Sequence, residues 1–420
     1  MNPALRNFAS LFIPKLQSKS QASMKQQKGF ILFSGLLFVL IYIIENINQR
    51  FWLNDFQVYY GAAKALSANA QVYGLPFGLG TGFYKYSPEF LLFILPLTNL
   101  SFQAASTLHF IGIALASIVA LRVIHRLLLQ SGFLEQDTKT NLFLILSFIC
   151  VLNHLVRELH LGNVNMILVM LISGALLALR QNKAFTAGLC LALAILIKPY
   201  LVILLLPILY HRRIQVLVAF GMSTLAMLMV FTLYAGFGPS LHLHQAWLKA
   251  MLEHNSYLSS AHTVSSLLHF YFHLPVPASF QWLLLGFVMV LYTLLYFIRI
   301  QKRVFVEPSK KYETGALNAS VWILLAAFPN ILVTDTEHFL YSLPMIMLLM
   351  SLLRTRKSSL LWIIFIVLVL LYGANSSDLL GSSLSEKVEQ AGVLGLANLG
   401  LMTMSLCLLA QHNSKYKIPA

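Results

Sequence analysis

The chain has 420 residues, of which 58% are hydrophobic and only 10% are charged. A soluble domain carries roughly 25% charged residues, so this composition excludes a soluble multidomain protein, a coiled coil and a disordered chain. The 29 Lys and Arg residues outnumber the 14 acidic residues, which gives a formal net charge of +15. Because the basic residues stand between long apolar runs, they indicate the orientation of a membrane protein rather than nucleic acid binding.

The predicted elements begin with a basic tail over residues 1–29 and an apolar run over about 30–46. That run ends at polar residues and has no small-residue cleavage site, so we interpret it as an uncleaved span. Further apolar runs follow, about twelve in all, each judged against the roughly 20 residues that a helix needs to cross a bilayer. We therefore predict an all-α polytopic membrane protein with one transmembrane domain over residues 30–411 and a short tail over 412–420.

Two of the apolar runs do not read as simple spans. Residues 88–98 are too short to cross comfortably, which favours a re-entrant or interfacial segment. Residues 184–210 could form one long helix kinked at Pro199. That helix would place the basic residues 211–213 outside, so we prefer two short helices that meet at Lys198-Pro199.

Charge orients the predicted spans. With the N-terminus inside, most of the 29 Lys and Arg residues fall on the inner side and most acids fall outside. Both termini are then cytoplasmic, and the two long outside loops cover about residues 47–87 and 237–279. We expect a multi-pass protein of the bacterial inner (plasma) membrane whose chemistry takes place on the outer, periplasmic face.

The first outside loop contains the most informative acid, Asp55, in the stretch W-L-N-D-F-Q-V-Y-Y-G-A-A-K-A-L. Asp55 precedes a predicted short helix, where Asp is a good N-cap residue. The alternative is a carboxylate at the boundary between water and lipid that works as a general base. The predicted helix has an apolar face formed by Val58, Tyr59, Ala62, Ala63 and Leu66, as in a helix that lies on the bilayer.

Other polar residues stand in unusual places. Lys198 lies inside an apolar stretch, where a lysine usually has a partner or a function, although it could also extend to the membrane surface. Asp335 and Glu337 could form a metal site with Asp55 if the loops converge, but there is no D-x-D pair and we expect no metal. The histidines of the second long outside loop lack the spacing of a zinc site.

Several motifs together resemble a known family. D-x-x-V-Y-Y-x-A-A-x-x-L, F-Y-K-Y-S-P, L-G-N-V-N and A-G-L-x-L-A-L-A-I-L-I-K-P follow one another in this order between about residues 50 and 350. In this the chain resembles glycosyltransferase family 87, the polyprenyl-phosphate-mannose-dependent α-mannosyltransferases of the GT-C superfamily. The resemblance implies a GT-C-like bundle of about twelve transmembrane helices with interfacial helices in the outside loops.

The resemblance also implies functions for individual residues. Asp55 matches the catalytic acid of the first outside loop and would act as general base, without metal or other cofactor, in an inverting transfer. We expect the substrate-binding residues in or beside the motifs: Tyr59, Tyr60, Lys85, Tyr86, His160, Asn163, Asn165, Lys198 and His338. Of these, Tyr59, Tyr60 and Tyr86 could instead belong to an aromatic belt at the membrane interface.

Three functions remain in competition on the sequence. The first is a glycosyltransferase that takes a hexose, mannose by resemblance, from a polyprenyl-phosphate donor to a glycolipid or glycan acceptor, with membrane lipids as its surroundings. The second is a transporter or flippase of lipid-linked sugars, which the lack of an internal repeat disfavours. The third is an inactive scaffold of an envelope-synthesis complex. The sequence contains no P-loop or Rossmann fingerprint, which disfavours a nucleotide-sugar donor, and we expect no nucleic acid partner.

Overall fold

A computed structural model describes residues 27–78, 82–135, 139–254, 260–277, 279–301, 310–356, 358–374 and 380–414. Within these ranges the protein is almost entirely helical, and the only β-pairing is a single bridge between Pro76 and Phe83. The predicted all-α fold class is confirmed. Most of the basic tail over residues 1–29 lies outside the described residues, as does most of the tail over 412–420.

The helices follow the apolar runs of the sequence. The first half of the chain forms α1 Lys28–Ile47, α2 Asn54–Ser67, α3 Pro88–Ile94, α4 Phe102–Ser131, α5 Thr140–Cys150, α6 Leu152–Leu161, α7 Asn165–Arg180, α8 Ala184–Ile197 and α9 Leu205–Tyr210. The second half forms α10 Ile214–Ala235, α11 Phe237–His254, α12 Val264–Phe272, α13 Phe280–Gln301, α14 Lys310–Ile331, α15 Leu343–Arg354, α16 Ser359–Gly373, α17 Ser382–Gln390 and α18 Val393–Ser414. Short 3₁₀ helices cover Leu95–Asn99, Pro199–Leu204 and Thr336–Ser342.

Among the described residues, six helices are long and apolar enough to cross a membrane. A seventh span results if α5 and α6, which meet at 63°, form one bent crossing. Six shorter apolar helices of 10–17 residues accompany them. The chain is therefore a membrane protein, while the total of about twelve spans stays a prediction, because the shorter helices fall below the length that a bilayer requires.

The two irregular runs form short helices. Residues 88–98 lie in α3 and the 3₁₀ helix that continues it, and together these are too short to span a bilayer alone. The predicted break at Lys198-Pro199 is confirmed, since α8 ends at Ile197 and Lys198 has an extended backbone. Proline causes this break because it has no N–H for the helical ladder.

The chain divides into two compact units. The first unit comprises Met1–Val123, Val156–Val202 and Ile214–Leu258. Within it α8 packs closely against α10, because Gly188 has no side chain at the contact and a Cβ there would lie 2.5 Å from the backbone nitrogen of Phe220. Helix α7 packs on α8 in turn.

The second unit comprises Ile124–Leu155, Ile203–Arg213 and Ser259–Ala420. Its centre is α15, which is almost completely buried although the adjacent 3₁₀ helix carries polar residues. Amide hydrogen bonds satisfy the buried polar groups: Asn398 donates to the side-chain oxygen of Asn330 at 2.7 Å and accepts from the hydroxyl of Ser342 at 2.7 Å. These bonds fix the packing of α14, α18 and the 3₁₀ helix, since a buried amide without a partner is costly.

Candidate active site

Helix α2 positions Asp55 in its first turn. The helix begins two residues earlier than predicted, at Asn54, with Leu53 at the N-cap position and no side-chain capping bond. The N-cap interpretation of Asp55 is therefore wrong. An acid in the first turn still interacts favourably with the helix dipole. The apolar residues Val58, Tyr59, Ala62, Ala63 and Leu66 lie on this helix as predicted, but they are buried inside the protein and do not face lipid.

Asn163 holds the Asp55 carboxylate. Its side-chain nitrogen donates to Asp55 Oδ2 at 2.7 Å, and its side-chain oxygen accepts from the backbone N–H of Val164 at 2.7 Å. The second bond fixes which end of the amide faces the acid. The two hydrogen bonds together hold the Asp55 side chain in one orientation.

Gly162 brings Asn163 close to α2. Its φ of +72° is easy only for glycine, and a Cβ at this position would lie 2.9 Å from Phe56 Cβ. The carbonyl oxygen of Gly162 is 2.8 Å from His109 Nε2, and the His109 ring stacks on Phe56 with centroids 4.4 Å apart. The loop before α7 is thus anchored to both α2 and α4.

A buried charged cluster lies just beyond this loop. Lys198 Nζ donates to Asn165 Oδ1 at 2.7 Å, and Asn165 Nδ2 donates to Glu158 Oε2 at 2.8 Å. Glu158 Oε1 accepts the backbone N–H of Met166 at 2.9 Å. Glu158 is 0% and Lys198 4% exposed. One amide therefore joins the buried amine of Lys198 to the buried carboxyl group of Glu158 and provides a hydrogen-bond partner for each.

Tyr86 connects this cluster to α2. The Lys198 ammonium lies 5.8 Å from the centre of the Tyr86 ring, and the Tyr59 hydroxyl donates to that of Tyr86 at 3.0 Å. Burial, the largest cause, raises the pKa of Tyr59 and the pKa of Tyr86 well above 10.0. Nearby Asp55 acts in the same direction on both. These phenols stay protonated and act only as hydrogen-bonding groups at neutral pH.

The model of glycosyltransferase family 87 matches residues 83–329, more than half of the 420 residues. The chain belongs to glycosyltransferase family 87. The matched region contains Lys85, Tyr86, Asn163, Asn165 and Lys198, but it begins after Asp55 and ends before His338. No curated protein and no solved structure gives a significant match.

The other predicted site residues of this glycosyltransferase have varied surroundings. In the first unit, Tyr60 donates from its hydroxyl to the Leu100 carbonyl at 2.7 Å. The backbone carbonyl of Lys85 accepts from the Trp247 indole at 3.2 Å. His160 Nδ1 lies 2.7 Å from Glu45 Oε2. Contacts to substrate by all three residues stay predictions.

His338 lies in the second unit, on the 3₁₀ helix Thr336–Ser342. Its Nδ1 is 3.2 Å from the carbonyl oxygen of Asp335. Side-chain ligand atoms of Asp335, Glu337 and His338 all lie within 4.8 Å of one another, so these three could hold a metal ion. The predicted absence of a metal and the function of His338 both stay predictions.

Sequence reasoning missed one buried pair in the first unit. Glu89 is 1% exposed, and its Oε1 lies 2.7 Å from Nε2 of His244 on α11. The hydrogen bond to Glu89 raises the pKa of His244 above 6.5, against the opposing effect of partial burial. The sequence offers no signal for this pair beyond an acid in an apolar segment.

Proposed function

We propose that this glycosyltransferase transfers a hexose, with mannose as first choice, from a polyprenyl-phosphate donor to a hydroxyl of a glycolipid or glycan acceptor. The observation that supports it most directly is the Asp55–Asn163 hydrogen bond of 2.7 Å, which orients one carboxylate at the end of α2. A carboxylate that is held in one orientation suits general base catalysis, and the metal-independent reaction is part of this proposal.

The reaction follows from these groups. Asp55 takes the proton of the acceptor hydroxyl as the acceptor oxygen forms a bond to the anomeric carbon. The bond between that carbon and the phosphate oxygen breaks, and its electron pair leaves with the phosphate. Attack from the face opposite the phosphate inverts the configuration. Lys198 supplies the positive charge that favours the departing phosphate.

An apolar groove supports a lipid-linked donor. It encloses about 310 Å³ between α3, α4, α7 and α8 of the first unit. Its walls include Val164 and Ile197, which are direct sequence neighbours of Asn163, Asn165 and Lys198. One wall belongs to α4, a candidate membrane span. A polyprenyl chain in this groove would bring its phosphate towards the polar cluster.

The charge bias of the loops supports an outer-face site in the plasma membrane, with both termini cytoplasmic. The sequence has no nucleotide-binding motif, which favours a lipid-linked donor on that face. The apolar groove supports the same donor.

Transfer with labelled donor tests the proposal. Purified wild type and Asp55→Asn in lipid nanodiscs would receive radiolabelled polyprenyl-phosphate-mannose and a membrane lipid extract, with and without a chelator. We expect transfer by wild type, unaffected by chelator, and a loss of at least about a thousandfold in Asp55→Asn because the base is removed. Full activity in a folded Asp55→Asn protein would refute the assignment. Inhibition by chelator would refute the metal-independent reaction.

A further inference from the structure

A second and larger cavity lies in the first unit, away from the apolar groove. It encloses about 760 Å³ between the C-terminal end of α2, the segment that follows it, the end of α10 and the start of α11. This volume falls in the range of small-molecule sites, roughly 300–1,000 Å³. Neither Asp55 nor Lys198 lines it.

The chemistry of the lining is neutral and rich in hydrogen-bonding groups. The lining contains the polar side chains of Asn69, Gln71, Tyr73, Tyr234 and His242. The Gln71 amide and the Tyr73 hydroxyl each donate to a backbone carbonyl at 2.8 Å. Among the described lining residues, none carries a carboxylate, an ammonium or a guanidinium. Neutral amides combined with aromatic rings suit the alternating hydroxyls and apolar faces of sugars, whereas a phosphate would call for cations.

One helix and one hydrogen bond link the wall of the cavity to the region of Asp55. Leu66 at its wall and Asp55 both lie on α2, so the wall is about 16 Å from Asp55 along the helix at roughly 1.5 Å per residue. Tyr73 lines the cavity, and its hydroxyl donates at 2.8 Å to the backbone carbonyl of Tyr86. A ligand that reaches from the cavity to Asp55 must therefore be longer than one sugar ring.

We propose that this cavity binds the distal sugars of a neutral oligosaccharide acceptor, whose terminal hydroxyl lies at Asp55. The proposal rests on the proposed function for the identity of the ligand as acceptor. Distal binding energy would then select acceptors by length, because a single sugar cannot occupy both places.

Titration of the nanodisc-embedded protein with soluble probes tests this assignment. The probes are manno- and malto-oligosaccharides of one to four units, with tetragalacturonate as the charged comparison. We expect affinity to increase with length in at least one neutral series. Absence of binding in both neutral series, or equal binding of tetragalacturonate, would overturn the proposal.

Two variants localise the binding. Ala246→Trp places an indole in the cavity, and Asn69→Gly removes an amide while tolerating the φ of +53° at that position. We expect Kd for the tetramer to rise at least about tenfold in the first, which corresponds to about 1.4 kcal/mol, and to rise also in the second. Ala250→Trp is the matched control, because Ala250 lies one turn further along α11 and does not line the cavity. Unchanged binding in both cavity variants would refute the site.

The same titration separates this proposal from the proposed function. In Asp55→Asn the affinity should still rise from one to four sugar units, since the residues that line the cavity are unchanged. Normal binding together with persistent transfer in Asp55→Asn would refute the catalytic assignment alone. If Asp55→Asn loses transfer but wild type binds no oligosaccharide, the catalytic assignment stands and the proposed binding cavity is refuted.

Discussion

The buried polar groups of the first unit show how individual residues can carry charge inside an apolar protein. Asn163 orients Asp55, Asn165 bridges Lys198 and Glu158, and His244 pairs with Glu89. An amide can donate to an anion and accept from a cation at once, so it fixes both without adding charge. These pairings hold Asp55 and Lys198, the proposed base and the proposed phosphate-binding group, inside an apolar protein.

The His244–Glu89 pair should make stability depend on pH. Because the pKa of His244 is raised in the folded protein, its stabilising effect is fully present below the unfolded value of about 6.5. It is lost as the pH rises through the folded pKa. We expect His244→Gln to lower the midpoint of thermal unfolding more at about pH 5.5 than at about pH 8.5.

A neighbouring histidine provides the control for this measurement. His242 lies two residues earlier on α11 and is exposed. His242→Gln should change the thermal midpoint little at either pH, because exposed polar substitutions have small effects. An identical loss of stability at both pH values in His244→Gln would contradict the pairing.

At the scale of elements, the site depends on close contact between α2 and the loop before α7. Leu53 enters α2 in the left-handed region with φ +40° and is completely buried. Leucine rarely adopts this conformation, so surrounding packing must hold it there. Gly162 is part of that packing, because a Cβ at Gly162 would lie 3.2 Å from Leu53 Cβ.

Gly162→Ala should therefore separate Asp55 from Asn163. We expect transfer activity to fall at least about tenfold and the free energy of unfolding to fall by about 1–3 kcal/mol, from backbone strain and overpacking. Transfer assays at saturating donor and thermal unfolding would measure both. Gly221→Ala in α10 is the control, since its Cβ would meet nothing within 4 Å. Equal activity of the two variants would show that this contact does not position Asp55.

Sequence reasoning recovered the elements whose signals are local. The proline that follows Lys198 predicted the end of α8, and the spacing of apolar residues predicted the apolar face of α2. It failed where the helix start differs by two residues, as at Asp55, and where partners are distant in sequence. His244 lies 155 residues from Glu89, and no local pattern reveals such a pair.

At the scale of the whole molecule, the largest part of the proposed polyprenyl-phosphate donor is hydrocarbon. Helix α4 has both a candidate span and a wall of the apolar groove, including Leu108 and Gly112. Each buried methylene contributes about 0.8 kcal/mol, so a long chain in the groove should add substantially to donor affinity. Affinity for the donor should then depend on chain length.

Gly112→Phe tests this dependence because it fills the groove without a clash. A Cβ at Gly112 would meet nothing within 4 Å, so the ring can enter the volume of about 310 Å³. We expect KM for a donor with a full-length polyprenyl chain to rise at least about tenfold, the loss of about two buried methylenes. KM for a donor with an ethyl chain, whose two carbons leave most of the groove empty, should change much less. Gly221→Phe, also in open space on a candidate span, should alter neither KM. An equal rise of KM for both donors would show that the lipid chain binds elsewhere. The ring can change the two KM values differently only if it displaces the lipid chain from the groove.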